Sequence, residues 1–218
     1  MLISPPRRRD AEVLRVGTML FCCALLALQA ETIDRIAVSV ANRVITASDI
    51  DRQIRVAAFL SGTKPDSSPA AKKAMADRLV EYTLLRREIE TSHYPVHTAA
   101  EIDPALADFQ KQYYKSDEAY HAALAEYGIS EQDVKDELLR ERTLNGFLDL
   151  RFRPAVQVTD TEMQAYLEKN FPAGSELDQY RDRIEQTLTA QRVDQEVNTW
   201  LERARARTEI VYHAEALQ

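Results

Sequence analysis

The sequence predicts a mainly α-helical fold of about six or seven helices with a small β element. Apolar residues recur at three- and four-residue spacing through most of the chain after residue 46, which is typical of amphipathic helices. Only residues 36–45 and the tail 208–212 show the alternating or β-branched pattern of short strands. The chain is 45% apolar and 29% charged, which is typical of a globular protein rather than a disordered one.

The β element begins shortly after the first thirty residues. Residues 36–40 alternate larger apolar residues with small or polar ones, as in a half-buried strand. Asn42 is expected to take the left-handed conformation in a tight turn, and residues 44–45 return as a second strand. Ser48 is then expected to cap the first helix, with Asp51 at the capping-box position.

Two helices are expected next, separated by a loop. The first ends at Gly62, because glycine accepts the left-handed conformation that ends many helices. Residues 63–69 have the composition of a loop. A long helix is predicted from about Pro69 to His93, where Tyr94-Pro95 ends it.

The start of the third helix is open between two alternatives. Thr98 and Glu101 form a capping box, which predicts a helix beginning there. Pro104 would lie inside that helix, so the second alternative makes Asp103 the cap and Pro104 the first helical residue.

Four further helices and a strand complete the prediction. One helix ends at Gly128, and Ser130 caps the next, which runs into Pro154. The capping box at 159–162 opens another. After a break at residues 171–175, a long helix spans roughly 176–207, and the β-branched tail 208–212 is expected to pair with the 36–45 strands.

The first thirty residues predict a secretory signal peptide. Four arginines precede an apolar run at 16–28, and Ala30 supplies a small residue at the end. A spanning helix needs roughly 20 apolar residues, so cleavage is expected and an uncleaved anchor is the alternative. Both cysteines, Cys22 and Cys23, lie in this leader, and the chain after it contains no thiol.

Charge excludes two classes of partner. Beyond the leader the chain carries 24 basic and 33 acidic residues, a formal charge of −9. A nucleic acid demands a basic face, and an anionic membrane demands a polybasic patch. Neither feature is present in this composition, so we expect no nucleic-acid partner.

The sequence offers no catalytic or metal motif. His93 and His97 are four residues apart, but Tyr94-Pro95 interrupts the helix between them and no third ligand is near in sequence. We interpret these histidines as surface residues and expect no metal. There is no glycine-rich phosphate loop and no nucleophile elbow, so the sequence predicts no catalytic residues and no cofactor.

This order of elements resembles the SurA-like periplasmic chaperones. Residues 34–49 (DRIAVSVANRVITASD) are similar to the opening strand, hairpin and helix of that family. Residues 158–166 (VTDTEMQAY) are similar to the stretch that precedes its isomerase domain. Residues 181–212 resemble the helix and strand that return from the far end of the family's chain.

The resemblance implies one chaperone domain over residues 31–218, after the signal peptide at 1–30. Its N-terminal part would span 31–171, and the returning helix and strand 176–218. In the family, one or two parvulin-type prolyl isomerase domains, glycine-rich and about a hundred residues long, lie between these parts. Here the connection is only residues 171–175. We therefore expect a protein without enzymatic activity.

By this resemblance the chain is expected to be an ATP-independent periplasmic holdase. Its partners would be unfolded outer-membrane or secreted polypeptides, bound through an apolar surface between helices. Two alternatives stay open: a residual peptidyl-prolyl cis-trans isomerase, and a non-catalytic assembly module with a fixed partner. The second includes a homodimer that exchanges its last helix about a hinge at 171–175.

Five aromatic residues are the candidate peptide-binding residues: Tyr113, Tyr114, Tyr120, Phe147 and Phe152. For each, the competing interpretation is a core residue at helical spacing. Phe147 and Tyr113 lie on apparent core stripes. Tyr114 and Phe152 lie off those stripes, which favours them as residues lining a client-binding groove.

Overall fold

The computed structural model describes residues 34–92, 94 and 97–218. Over these ranges it contains seven α-helices and one three-stranded antiparallel sheet. The predicted mainly helical fold with a small β element is confirmed. The signal peptide expected at 1–30, its two cysteines and His93 lie outside the described residues.

The sheet joins the two ends of the described chain. Its strands are β1 (Ile36–Val40), β2 (Arg43–Thr46) and β3 (Ile210–Tyr212), in the order β2-β1-β3. β1 pairs antiparallel with both neighbours. Ser39 of β1, for example, lies opposite Val44 of β2 on one side and opposite Val211 of β3 on the other. The predicted pairing of the tail with the first strand is confirmed.

A β-bulge changes which residues of β1 face the core. The register with β2 shifts between Ile36 and Val38, which leaves Ala37 without a partner in β2. Ala37 and Val38 are both fully buried, whereas Ile36 is 44% exposed. The predicted regular alternation is therefore wrong at the start of this strand, because the bulge turns Ile36 to the outer face.

The turn between β1 and β2 places its left-handed residue one position earlier than predicted. Ala41, with φ of 51°, takes this conformation, and Asn42 does not. The Ala41 N–H donates to Glu209 O at 2.9 Å, so the pairing of β1 with the returning tail continues into the turn and holds the Ala41 backbone there.

The helices follow the predicted order. Their bounds are α1 Ala47–Ser61, α2 Pro69–Ser92, α3 Asp103–Tyr113, α4 Asp117–Tyr127, α5 Glu131–Arg151, α6 Asp160–Asn170 and α7 Leu177–Ala206. Short 3₁₀ turns lie at Ala99–Glu101, Arg153–Ala155 and Ala214–Ala216. The helix stops predicted at Gly62 and Gly128 are confirmed, since both have φ near 64° at helix C-caps.

The first helix begins two residues earlier than predicted. Thr46, the last residue of β2, is extended, and its Oγ1 accepts the Asp49 N–H at 3.2 Å. The Asp49 carboxylate accepts the Thr46 N–H in return, which completes a capping box. The predicted cap at Ser48 is wrong, because the strand passes directly into the helix and Ser48 already lies in its first turn.

The third helix begins close to the second predicted start, which made Asp103 the cap and Pro104 the first helical residue. α3 begins at Asp103 with Pro104 in its first turn, and its N-cap is Ile102, which makes no side-chain capping bond. The Thr98 hydroxyl instead bonds Glu101 Oε1 at 3.1 Å across the 3₁₀ turn. The helix cap predicted at Ser130 and the capping box predicted at Thr159 are confirmed for α5 and α6.

Three apolar clusters lie beneath these elements. The main core joins the inner face of the sheet to α1, α2, the end of α5 and the C-terminal half of α7. A second cluster joins the end of α1 to α3, α4 and the start of α5. A third joins α6 to the N-terminal half of α7. α7 therefore contributes to two clusters along its 30 residues.

A polar network fastens β3 to α2. The Tyr212 hydroxyl donates to Asp77 Oδ1 at 2.6 Å, and Lys73 Nζ lies 4.4 Å from the centre of the Tyr212 ring. Arg205, in the last turn of α7, donates to Glu81 Oε1 at 3.0 Å. Burial acts to raise the pKa of Asp77, but the hydrogen bonds from Lys73 and Tyr212 outweigh it and the pKa is lowered.

We expect Tyr212→Phe to lower the free energy of unfolding by about 1 kcal/mol at pH 7, because it removes a hydrogen bond to a carboxylate that is partly exposed. The folded-state pKa of Asp77 lies below its ordinary value of 3.8, so the stabilisation is complete above that value and lost as pH falls through the lowered pKa. Urea denaturation of both proteins at pH 7 and near pH 3 should show the difference shrink at the lower pH. Tyr166→Phe, at a half-buried tyrosine whose hydroxyl makes no hydrogen bond among the described residues, is the matched control. An equal loss in both variants would contradict the expectation.

Candidate functional site

Aromatic side chains converge where the ends of three helices meet. Phe59, in the last turn of α1, is 2% exposed and has four aromatic neighbours. Its ring centre lies 5.9 Å from Phe109, 5.9 Å from Tyr114, 6.0 Å from Tyr120 and 5.5 Å from Tyr127. These separations are typical of interacting aromatic pairs. The end of α1 is thus the centre of an aromatic cluster built by α3 and α4.

Local capping brings these helix ends together. Gly62 ends α1, and the following loop accepts a hydrogen bond from the Tyr127 hydroxyl at Thr63 O, 2.8 Å away. α3 ends at Tyr113, and Ser116 caps α4, accepting from Ala119 N at 3.3 Å. Only a short link therefore separates α3 from α4, and this link carries Tyr114 back over Phe59 at an interplanar angle of 13°.

The outer side of the cluster is open to solvent. Tyr113 is 63% exposed, and its ring centre lies 5.0 Å from that of Phe109, which is half-buried. Tyr114 is half-buried 6.0 Å from Phe109. We call these three residues the Tyr113 surface. It offers apolar ring faces backed by a buried aromatic cluster.

The phenol groups of Tyr114 and Tyr120 stay neutral at physiological pH, because the pKa of each is raised. Burial raises the pKa of Tyr114, and the nearby Tyr127 raises it further. Burial is also the largest cause of the raised pKa of Tyr120. Tyr114 and Tyr120 therefore supply apolar contact and neutral hydroxyl groups, not an ionised nucleophile.

The structure separates the five predicted peptide-binding residues into two groups. Tyr113, Tyr114 and Tyr120 all belong to the aromatic cluster, with Tyr120 1% exposed inside it. Phe147 and Phe152 lie in the main core, 1% and 6% exposed, with ring centres 6.0 Å apart. Whether any of the five contacts a client stays a prediction.

Two of the positional predictions for these residues are wrong. Tyr113 was expected on a core stripe, but it is the last residue of α3 and no further turn of helix covers it. Phe152 was expected off the stripe, but α5 ends at Arg151 and the 3₁₀ turn after it folds Phe152 against Phe147. The core position predicted for Phe147 is confirmed.

Sequence reasoning missed Phe59 and Phe109 as parts of this site. Phe59 is far from the other aromatics in sequence and lies in the last turn of α1, which looks like an ordinary amphipathic helix. Phe109 follows Leu106 by three residues on α3, which is the spacing of an ordinary apolar helix face. The available signal was the number of aromatic residues between positions 109 and 127, which is larger than the number that one buried helix face would contain.

Within the described ranges, no group of three or more His, Cys, Asp or Glu side chains could hold a metal ion. His97 is engaged with Glu101, Nδ1 to Oε2 at 2.5 Å, and this hydrogen bond is the largest cause of the lowered pKa of Glu101. No helix in the described part of the chain has the length and apolar character needed to cross a membrane.

Three curated relatives are named Chaperone SurA. The protein of Pseudomonas fluorescens is 25% identical over 68% of this chain, that of Nitrosospira multiformis 28% over 69%, and that of Pseudomonas syringae 27% over 70%. The chain is similar to SurA chaperones. The predicted resemblance is thereby confirmed, although no family model matches the sequence. The matches cover only 35% to 36% of the SurA sequences, so the chain spans about a third of the length of the curated relatives it matches.

We expect Phe59→Ala to lower the free energy of unfolding by about 3–5 kcal/mol, because it leaves a cavity among four aromatic rings. Tyr113→Ala should cost less than about 0.5 kcal/mol, since most of this side chain is already in water. Chemical denaturation followed by circular dichroism measures both. Comparable losses would show that Tyr113 is a structural member of the cluster and not an exposed surface on it.

Proposed function

We propose that this chain is an ATP-independent chaperone that binds unfolded polypeptides in the periplasm. The observation that carries the proposal is the similarity to SurA chaperones together with the exposed Tyr113 surface. In this proposal residues 31–218 act as one chaperone module behind a signal peptide at 1–30, and the clients are outer-membrane or secreted proteins.

The geometry of the Tyr113 surface suits weak, tolerant binding. Tyrosine and phenylalanine side chains offer large apolar area at low cost in conformational entropy, because each has only two side-chain torsions. The tyrosine hydroxyl groups can accept hydrogen bonds from a client backbone or donate to it without demanding a particular sequence. Such contacts favour many clients of moderate affinity over one partner of high affinity.

The short connection between α6 and α7 supports a protein without isomerase activity. α6 ends at Asn170 and α7 begins at Leu177. Between them Ser175 donates from both its N–H and its hydroxyl to Pro172 O, at 3.1 and 2.8 Å, and Gly174 takes φ of 89°. This is a tight turn in the place where the resemblance puts an isomerase domain in full-length relatives.

Contacts between α6 and α7 argue against the alternative in which a homodimer exchanges its last helix about a hinge at residues 171–175. Arg181 on α7 lies 2.6 Å from Asp160 at the start of α6, Nη1 to Oδ1. Arg192, farther along α7, pairs with Glu162 and also donates to Gln157 O. Two arginines about three turns apart on α7 thus tie this helix to the first turn of α6, and opening the hinge within one chain would break both pairs.

The direct test is suppression of aggregation. An unfolded β-barrel protein is diluted from urea into buffer with increasing amounts of the chaperone, and light scattering is followed. We expect suppression near equimolar amounts, without nucleotide. Persistence of full aggregation at several-fold molar excess would contradict the proposal.

We expect Tyr113→Ser to raise the amount needed for half-suppression by about 3- to 10-fold, because it removes the most exposed ring of the Tyr113 surface. Leu150→Ser is the matched control, since Leu150 is 54% exposed on α5 and lies outside that surface. Equal effects of both variants would place the client elsewhere on the protein.

A proline-peptide isomerisation assay at the same concentrations distinguishes the proposed chaperone from an enzyme. The proposal expects the uncatalysed rate. Acceleration above that rate would favour a residual peptidyl-prolyl cis-trans isomerase.

A further inference from the structure

β3 lies at one edge of the sheet and carries backbone groups that have no partner in the described chain. The strand order is β2-β1-β3, so β3 pairs on one side only. Glu209 O and His213 N–H, on either side of the strand, bond to β1 and the turn after it at 2.9 Å. Because backbone groups alternate in direction along a strand, the N–H and C=O groups of Ile210 and Tyr212 point away from β1. No hydrogen bond joins these four groups to another described residue.

The opposite edge of the sheet offers fewer free groups. On β2 the register turns the backbone groups of Arg43 and Ile45 toward β1, and those of Val44 and Thr46 outward. The Thr46 N–H already donates to Asp49 Oδ2 at 3.1 Å, and α1 begins at the next residue. Val44 is therefore the one residue of β2 with a free outward N–H, whereas β3 has two such residues. The usable edge of this sheet is β3.

Residues 209–213, which we call the β3 edge, are complementary to themselves in the antiparallel direction. When two copies of this edge align about Val211, Ile210 of each copy lies opposite Tyr212 of the other. These pairs exchange hydrogen bonds through the groups that point away from β1. Val211 lies opposite Val211 in the kind of pair whose side chains approach most closely. Since Val211 is 43% exposed, this contact removes apolar surface from water.

A hydrogen-bond acceptor and a donor flank the central valines. In the same register Glu209 of one copy lies opposite His213 of the other, on the face of the sheet that carries Val211. Glu209 is exposed and His213 is half-buried, and an imidazole N–H can donate to a carboxylate. Two-fold symmetry repeats this pair on the other side of Val211. Lysine and proline, which commonly prevent pairing at an edge strand, are absent from residues 209–213.

We propose that two copies of this chain associate through the β3 edge, so that their three-stranded sheets join into one antiparallel sheet about a two-fold axis at Val211. Each copy keeps its own α7. The dimer is closed, because both copies use the same edge and β2 has no equivalent one. The edge is smaller than a standard interface, and we expect a Kd on the order of 10–100 µM. The aromatic cluster contains no residue of β3, so this inference does not depend on the proposed chaperone function.

Sedimentation equilibrium of the purified protein from about 1 µM to about 1 mM tests the association. We expect monomer and dimer without larger species. Val211→Lys places two ammonium groups opposite each other and should weaken the dimer at least about 5-fold. Val44→Lys is the matched control, because Val44 is 55% exposed on the same face of the sheet but lies on β2. A monomer at every concentration, or equal weakening by both variants, would overturn the proposal.

A charge exchange tests the register. Glu209→Lys faces His213 of the second copy, and His213→Glu faces Glu209, so each single variant should weaken the dimer by about 3- to 10-fold. The double variant Glu209→Lys/His213→Glu places the introduced lysine opposite the introduced glutamate and should recover most of the wild-type affinity. Additive weakening in the double variant would overturn the antiparallel register about Val211.

A disulfide provides a second measure of the same register. With Cys22→Ser and Cys23→Ser, the chain has no thiol of its own. In that background Val211→Cys brings together two thiols across a pair with Cα atoms about 4.5 Å apart, which suits a disulfide. Mild oxidation should give a covalent dimer, and Val44→Cys, as the control, should stay largely monomeric. Equal cross-linking of both variants would contradict association through β3.

An extended client segment is the competing occupant of the β3 edge. If the wild-type protein sediments as a monomer, and Val211→Lys impairs suppression of aggregation more than Val44→Lys does, the edge binds clients and not a second copy. That result would overturn the proposed dimer. A dimer that responds to these variants as expected, in a protein that fails to suppress aggregation, would contradict the chaperone function alone. Circular dichroism of each variant confirms that it is folded.

Discussion

The antiparallel pairing of β1 with β3 is the constraint on which the rest of the structure depends. It joins a strand near the start of the described chain to one near its end, so all seven described helices lie within the loop that it closes. The entropy lost in closing a loop grows only slowly with loop length. It is offset by apolar burial beneath the sheet, where Val38 and Val40 are almost fully covered. Tyr212, bonded to Asp77, adds a polar tie from β3 to α2.

The returning helix determines which surfaces remain for function. The C-terminal half of α7 packs on the main core and its N-terminal half packs on α6. The buried apolar residues of this helix therefore contact other helices of the protein. The second cluster lies apart from α7, at the ends of α1, α3 and α4, and it exposes Tyr113. The Tyr113 surface is thus a property of the N-terminal helices that the pairing of β1 with β3 holds in place.

The candidate site was predictable from the sequence only in part. Tyr113, Tyr114 and Tyr120 were named as candidates from the sequence, because residue type can be read without knowledge of the fold. The exposure of Tyr113 and the burial of Phe152 were assigned the wrong way round, because helical spacing says nothing about where a helix ends relative to its neighbours. Phe59 was missed altogether, since its role depends on contacts with residues some fifty positions later in the chain.

The sequence by itself determined the element order, the helix stops at Gly62 and Gly128, the cap at Ser130, the capping box at Thr159 and the pairing of the terminal strands. These features follow from backbone conformation, capping and hydrophobic period, which act over a few residues. Only the tertiary structure decided the bulge at Ala37, the left-handed Ala41 and the aromatic cluster around Phe59. Each of these depends on contacts between segments distant in sequence, and local pattern carries no information about such contacts.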